Sequence, residues 1–329
     1  MRRRPRPSRA RAGRRLVGHL AARAAGFATV LWAVATLTFF AIRLIPGDPA
    51  LAILGGPGSE AGPAALAHVQ AQYGLDKPLL VQYLDQLGRY LTGNLGTSYS
   101  LHEPVAQVIG SQLGGTLTLA VASLAVGWAI AVTAASAAVW GGRVGNACAS
   151  GLEIAAAAMP HFWLGTVLIL AFSTALGWLP AVSVPGPVGL ILPVTTLAVP
   201  LAGFLGQIMR ESLTAAAAAP FALSARARGE SELGVLLRHT LRHAAVPAVA
   251  LTGWAFGSLI SGAVVVETIF ARPGLGRTLL GAVQQRDVPL VTGVVLAVAL
   301  AYCIATVAGE AGERLLDRRS RPGGPEGGR

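Results

Sequence analysis

The sequence predicts an all-α integral membrane protein with six transmembrane helices and both termini in the cytoplasm. Three observations carry this expectation. Of 329 residues, 53% are hydrophobic and only 12% charged, against about 25% charged in ordinary soluble domains, and the mean hydropathy is +0.59. Six apolar segments are long enough to cross about 30 Å of hydrocarbon at 1.5 Å per residue. Arginines gather in alternate connections between them. This composition excludes a water-soluble globular enzyme. The formal charge of +11, from 26 basic and 15 acidic residues, sits on the flanks of apolar segments, so no nucleic-acid partner is expected.

Residues 1–23 form a cytoplasmic, arginine-rich N-terminus with nine arginines. Orientation by positive charge accounts for them better than a cleaved or twin-arginine signal at Arg14 and Arg15, because the apolar stretch that follows is longer than a signal core of about 7–15 residues. The first span runs from Ala24 to Ile42, within a helix placed at 24–45. From Ile45 to Gly115 the only basic residues are Lys77 and Arg89, against Asp48, Glu60, Asp76, Asp85 and Glu103, so 46–115 is expected outside. Pro46, Gly47 and Pro49 form a turn there, with Asp48 placed to accept from backbone donors. Leu79, Leu80, Tyr83, Leu84, Leu87, Tyr90 and Leu91 recur at helical spacing, opened by Pro78 and closed near Gly93. Two readings of this amphipathic helix stay open: it lies on the membrane surface or over a pore mouth, or it simply packs on the bundle.

Five further spans occupy 116–308: Thr116 to Trp140, Ile154 to Leu176, Val188 to Met209, Val246 to Val266 and Val288 to Ala308. Arg143 marks the loop from Gly141 to Gly151 as internal, and the uncharged stretch from Gly177 to Pro187 is external. Five arginines and two histidines place the connection from Arg210 to about Ala245 inside. The loop from Thr268 to Asp287 follows outside despite Arg272, Arg277 and Arg286. The tail, 309–329, has five arginines and returns to the cytoplasm.

The internal segment 210–247 carries the most information. An alanine-rich, helix-favouring run from Ala215 to Arg228 breaks at Gly229, and a second face of Leu233, Leu236, Leu237, Thr240, Leu241 and Ala244 follows. Pro220 lies near the start, and Pro247 is expected to end the second piece as the fifth span begins. Helix, glycine corner, helix is a docking shape, able to place a convex corner in a groove of a soluble partner.

At these residues the sequence resembles the membrane permease subunits of bacterial ATP-binding-cassette importers, in the dipeptide, oligopeptide and nickel branch. The match lies in Ala225-Arg226-Ala227-Arg228-Gly229, then Arg238-His239-Thr240-Leu241-Arg242-His243 and Pro247. It continues through Phe39-Phe40, Pro46-Gly47-Asp48-Pro49, Tyr73 to Pro78, Gln82-Tyr83, Gly93 to Ser98, Pro160 to Gly165, Gly177 to Pro180 and Leu192 to Leu197. Its last blocks are Glu267 to Phe270, Pro273 to Arg277 and Arg286 to Leu290. The order of the blocks makes the resemblance specific, and the long external region matches the first of the two permeases such importers carry. It implies a type I importer-like permease fold, a permease core at 116–308, and a cytoplasmic ATPase-docking loop at 210–247. The coupling residues it implies are Ala225, Ala227, Arg228, Gly229, Arg238, His239 and Pro247. Glu267, Phe270, Pro273, Gly274, Gly276, Arg286 and Asp287 are placed at an outer mouth. Leu223 stands where the wider family often has an acid, Arg228 for a lysine, His243 for an asparagine, and Gly114-Gly115 for a more rigid pair.

The implied partners are a second permease, forming a heterodimer, two ATPase subunits, an extracytoplasmic solute-binding protein and membrane lipid. The implied cargo is a dipeptide, an oligopeptide or a related small solute such as nickel. The location is the bacterial cell membrane. No catalytic residue, metal ligand or cofactor is expected in this chain. A phosphate loop ends in Gly-Lys-Ser or Gly-Lys-Thr, whereas Lys77, the lone lysine, precedes Pro78, so ATP and magnesium belong to partner subunits. Ser258 and Ser261 lie among Gly253, Gly257 and Gly262, which read as close-packing positions rather than a serine nucleophile site. His239 and His243 are four apart but lack a third ligand, and read as a solvated docking face. His161, after Pro160, is a polar residue in a span and a candidate for the pathway. A transporter or channel acting alone is the alternative, and it requires intramembrane titratable groups that the spans hardly offer.

Overall fold

The computed structural model describes residues 9–44, 49–54 and 62–316, and they are almost wholly helical. In chain order the helices are α1 (Arg9–Arg43), α2 (Pro49–Ile53), α3 (Pro63–Tyr73), α4 (Leu79–Leu91), α5 (Val105–Trp140), α6 (Gly142–Ala158) and α7 (His161–Leu168). Next comes a π-helical stretch over Ile169–Ala175, then α8 (Val188–Ala217), α9 (Pro220–Ala227) and α10 (Glu232–Val235). A second π turn, Leu236–Thr240, leads into α11 (Leu241–Ala250), α12 (Thr252–Ile269), α13 (Leu275–Gln284) and α14 (Val288–Leu316). The Pro46 to Asp48 turn read from the sequence lies outside the described residues. Two compact units divide the chain: 1–109 with 282–303, and 110–281 with 304–329.

Among the described residues, five helices are long and apolar enough to cross a membrane, and six if one bent pair counts as a single span. That pair is Gly142–Ala158 with His161–Ala175, bent by 101°. The sequence predicts a single span over 154–176; in the structure its helix is broken at Met159 and Pro160. A residue before proline is pushed out of the helical region, and Met159 has ψ 122°. Pro160 is itself extended and opens α7. The fifth span is also redrawn. Pro247 sits inside α11 and the interruption falls at Leu251, because a proline removes one hydrogen bond without forcing an immediate stop. Thr252 Oγ1 donates to the Ala248 carbonyl beside that interruption.

In the first unit, α4 packs on the carboxyl end of α1. Phe39, almost fully buried, meets the Tyr83 ring edge-on at 5.3 Å. The Tyr83 hydroxyl joins the Thr36 hydroxyl at 2.8 Å and accepts from Trp32 Nε1 at 3.0 Å. Arg43 donates to Gln82 at 2.7 Å and lies over the Phe39 ring. Packing on a span is therefore one role of α4. Its other face leaves Leu80, Leu84 and Leu91 exposed. α3, which the sequence reading leaves unassigned, opens on Pro63 and closes in a left-handed Gly74, whose successor Leu75 donates to the Gln70 carbonyl at 2.8 Å.

α8 is the centre of the second unit. Leu197, Leu201, Leu205, Met209 and Leu213 recur every four residues and are buried, so one ridge of the helix runs through the core. Pro193 cannot donate to the Gly189 carbonyl, and the Ser183 hydroxyl does so instead at 3.3 Å, the kind of substitution that lets proline persist in an apolar helix. α6 comes close enough that a Cβ on Gly203 would stand 2.6 Å from the Ala157 nitrogen and the Glu153 carbonyl. Small residues permit such backbone approach where the surrounding lipid supplies no hydrophobic drive. Large apolar side chains that point outward, including Val121, Leu152, Leu170 and Ile304, suit a hydrocarbon solvent.

Gly203→Ala is expected to lower the thermal unfolding temperature of the detergent-solubilised protein, at a cost of about 1–3 kcal/mol from overpacking. Gly114→Ala, where a Cβ inside α5 meets no atom within 4 Å, should leave it unchanged or raise it slightly, since alanine favours the helix. Tryptophan-fluorescence melts compare the two, and equal melting temperatures would contradict a close-packed α6 and α8.

Candidate functional site

The corner foreseen around Gly229 is built from backbone capping. Ala219 is extended before Pro220, which starts α9. At the other end Gly229 is left-handed, with φ 82°; its N–H donates to the Arg226 carbonyl at 2.9 Å and Glu230 N–H donates to the Ala225 carbonyl at 3.2 Å. This crossed pair closes a helix on glycine because an L side chain resists that conformation. Ser231 then caps α10, accepting from Gly234 N–H at 3.2 Å. Ala222, Ala225 and Val235 are buried together, with Phe221 against them, so the inside of the corner is a small apolar core.

Side chains brace it. Arg226 makes a two-pronged bond to Glu232 at 2.9 and 3.1 Å and also donates to the Ala217 carbonyl at 2.8 Å, which ties the corner to the end of α8. Glu230 takes a 2.9 Å hydrogen bond from His239, with Arg238 at 3.5 Å. That bond holds the Glu230 carboxylate below its ordinary range, so the tie persists above that range and is released as pH falls through the lowered value. His243 stacks on Phe221 at 4.6 Å, and its Nδ1 lies 2.8 Å from the His239 carbonyl. Both histidines thus have partners inside the corner. Of the sequence-derived coupling residues, Ala225 lies within the small core, Ala227, Arg228, Gly229 and Arg238 are exposed around it, His239 braces it, and Pro247 sits one helix further on. Leu223, Leu233 and Leu237, each more than half exposed, complete an outer face that is apolar with a basic border. Arg226, Glu230 and Glu232 were not foreseen as braces. An acid six residues after an arginine, across a glycine break, has no helical spacing to reveal it.

The residues assigned to an outer mouth fall into two structural settings. In the second unit Glu267 is fully buried. Its Oε1 accepts from the Thr116 hydroxyl at 2.6 Å, and its Oε2 accepts from the backbone N–H groups of Gly276 and Arg277 at 2.8 and 3.1 Å. The carboxylate therefore caps α13, where the helix dipole favours negative charge. A side chain on Gly274 would run into this carboxylate, and one on Gly276 would stand 2.5 Å from the Val264 Cα. Pro273 has its carbonyl close against Gly115, and Phe270 is buried beside Gly165. His161 borders Gly262 of α12, its Nε2 3.3 Å from where a Cβ would stand. In the first unit Asp287 is fully buried and accepts from the Ser98 hydroxyl at 2.5 Å, from the Ser100 hydroxyl at 2.9 Å and from the Ser100 N–H at 3.0 Å. Its second oxygen takes Leu290 N–H at 3.1 Å, capping α14. Arg286, beside it, is a left-handed arginine with φ 55°. Ser98 and Thr116 are the partners that sequence reading missed, since their distances in sequence from Asp287 and Glu267 have no periodic signature.

A third buried acid joins α6 to α8. Arg210 Nε donates to Glu153 at 2.8 Å and Arg210 Nη1 donates to Asn146 at 3.0 Å. Gly206 leaves the room for Glu153.

Comparisons with known proteins cover nearly the whole chain. Residues 127–322 match the family described as "Binding-protein-dependent transport system inner membrane component", and residues 16–120 match its N-terminal counterpart. The glutathione transport system permease protein GsiC of Salmonella choleraesuis (strain SC-B67) is 36% identical over 292 residues, 88% of this chain and 94% of the relative. The protein of the same name from Escherichia coli (strain K12) is 34% identical over the same shares. A crystal structure of an amino acid ABC transporter with histidines aligns at a TM-score of 0.47 and 18% identity, over 65% of this chain and 94% of that chain.

Glu267→Ala strands the Thr116 hydroxyl and two backbone donors in a buried site and is expected to cost on the order of 3 kcal/mol. Glu267→Gln, which keeps an acceptor in place, should cost distinctly less. Thermal unfolding in detergent reads both, and equal losses would argue against a cradle that depends on an acceptor.

Proposed function

The chain belongs to the binding-protein-dependent transport system inner membrane components, and from that premise we propose that it forms half of a pathway for small peptides, coupled to ATP hydrolysis through the corner around Gly229. It is a multi-pass inner membrane protein and the permease subunit of an ATP-binding-cassette importer, a family in which ATP is hydrolysed by separate subunits. Such permeases work with a partner permease, an ATPase and a solute-binding protein in general. For this chain the proposed assembly is specific: a different second permease, two ATPases holding the segment Ala225 to Pro247, and a solute-binding protein that delivers on the side of 46–115. ATP and magnesium are used by the ATPases alone. The named relatives are glutathione permeases, and a tripeptide or another short peptide is the cargo proposed here.

The observation that carries the coupling role is the outer face of the corner. Leu223, Leu233 and Leu237 are exposed with Arg228 and Arg238 at their border, while the inside is closed by Ala222, Ala225 and Val235. A braced element with an unburied apolar face fits a groove in a soluble partner. Closure of the ATPases on nucleotide would shift the corner, and the Arg226 bond to Ala217 passes that shift to α8, opening the pathway to each side in turn. Glu267 and Asp287 act as positioning groups, each within its own unit, that fix the starts of α13 and α14.

Leu237→Asp places a charge on the proposed contact face without touching the inner core. It is expected to abolish co-purification of the ATPases and to reduce peptide uptake to background, while membrane insertion stays normal. Full recovery of the ATPases with this variant would refute the coupling surface. Arg226→Ala should retain some ATPase binding yet lower transport at least several-fold, since it cuts the tie to α8 while sparing the exposed leucines. Uptake at the wild-type rate would show that the tie transmits nothing.

A further inference from the structure

The first unit contains a cavity of about 720 Å3 that none of the roles above uses. Its size is that of a site for a small molecule or a short peptide. The wall combines the end of α1, α3, α4, the turn at 94–99 and residues 286–289. Four cationic side chains line it, Arg43, Lys77, Arg89 and Arg286, against one carboxylate, Asp85. Lys77 is paired with that carboxylate at 3.1 Å. Asp287 lies close in sequence but is enclosed by its serine donors and Leu290. Arg43 and Arg89 form no ion pair with a carboxylate among the described residues.

Each arginine is placed differently. Arg43 is fixed, bonded to the Phe39 carbonyl at 3.0 Å and to Gln82 at 2.7 Å, with its guanidinium over the Phe39 ring. The Arg89 guanidinium engages no carboxylate among the described residues. Arg286 adopts a left-handed backbone that favours glycine or asparagine, and a strained residue kept at a cavity wall is a pointer to function. Neutral donors accompany the charges. Burial pushes the Tyr99 phenol up to about 12, so it keeps its proton, whereas the Tyr90 hydroxyl is already engaged by Gln86 and Thr292. Asn94 Oδ1 accepts from Gly96 N–H at 2.9 Å, which turns its amide nitrogen into the free donor. One fixed and one exposed guanidinium group beside a phenol and an amide donor match a carboxylate, which accepts bidentate, charge-assisted hydrogen bonds.

We propose that this cavity binds the carboxylate of a small peptide-like solute, an outer holding site on the peptide route. The assignment rests on the peptide-permease reading above and adds to it a substrate class, peptides with a free carboxylate, and a place in the chain where that group is recognised. The same chemistry could be offered by an acidic side chain of a solute-binding protein, and the test separates the two sources.

The full chain in lipid nanodiscs is titrated with a fluorescent tripeptide bearing a free C-terminal carboxylate and with the same tripeptide as its C-terminal amide. The acid is expected to bind about tenfold more tightly, the worth of one charge-assisted hydrogen bond. Arg89→Gln removes an exposed cation and is expected to erase the preference. Asn94→Asp keeps the acceptor for Gly96 N–H, so the turn is preserved, yet it sets a carboxylate in the wall and should also erase it. Equal binding of acid and amide, no binding of either, or an undiminished preference in both variants overturns the proposal. So does a result in which Arg89→Gln weakens only the affinity for the solute-binding protein, because the occupant is then an acidic side chain of that protein. Co-purification of the ATPases, measured in parallel, is independent of the cavity. If it persists while the acid preference is absent, the holding site fails and the permease reading stands.

Discussion

A carboxylate buried in an apolar helical protein must be met by donors, and three such carboxylates fix how this chain joins its segments. Glu267 gathers the Thr116 hydroxyl and the first N–H groups of α13; Asp287 gathers Ser98, Ser100 and the start of α14; Glu153 takes Arg210. The cost of an unmet charge rises steeply as the surroundings become less polar. Each acid therefore specifies its partners more sharply than any apolar contact near it. Two of the three sit at helix N-termini, where dipole and free N–H groups add to the attraction. The glycines around them follow from the same requirement, since Gly274 and Gly206 leave room for carboxylates that a side chain would displace.

The corner obeys a different rule, because water reaches it. Its shape comes from the backbone, a left-handed glycine and a serine cap, and its ion pairs are braces on that shape. Arg226 is the instructive case. An exposed pair with Glu232 contributes little stability by itself, but the same guanidinium also holds the Ala217 carbonyl, the last residue of α8. One side chain thereby converts two flexible neighbours into a connected piece.

Much of the helical plan was legible in the sequence because hydrocarbon imposes length and apolarity on each span, and arginine placement expresses the same constraint. The glycine corner was legible for a similar reason: Gly229 interrupts an otherwise helix-favouring run, and only a few conformations continue from there. The break at Met159 was missed because a proline within a long apolar run is ambiguous, tolerated in α8 at Pro193 and Pro200 yet decisive at Pro160. The difference lies in what satisfies the lost bond. Ser183 reaches the carbonyl freed by Pro193, a contact between residues on different elements that no local pattern encodes. The partners of Glu267 and Asp287 were illegible on the same ground. The acids stood out as polar residues beside apolar spans, but serines and threonines 151 to 189 positions away are indistinguishable from others until the chain is folded.

These constraints bear on how force could cross such a protein. A helix that moves as a lever must be continuous and must be gripped along its length, and α8 meets both conditions. It runs for 30 residues without interruption, with Arg210 bonded to α6 through Glu153 and Asn146 and its far end held by Arg226. Its ridge from Leu197 to Leu213 is buried in the core, and a close-packed interior transmits displacement rather than absorbing it. Glycine at 203 brings α6 to backbone contact at the same level, so a shift of α8 carries α6 with it. On the proposed reading, the corner delivers motion to the best-packed helix of its unit, and the small residues beside that helix make the motion shared.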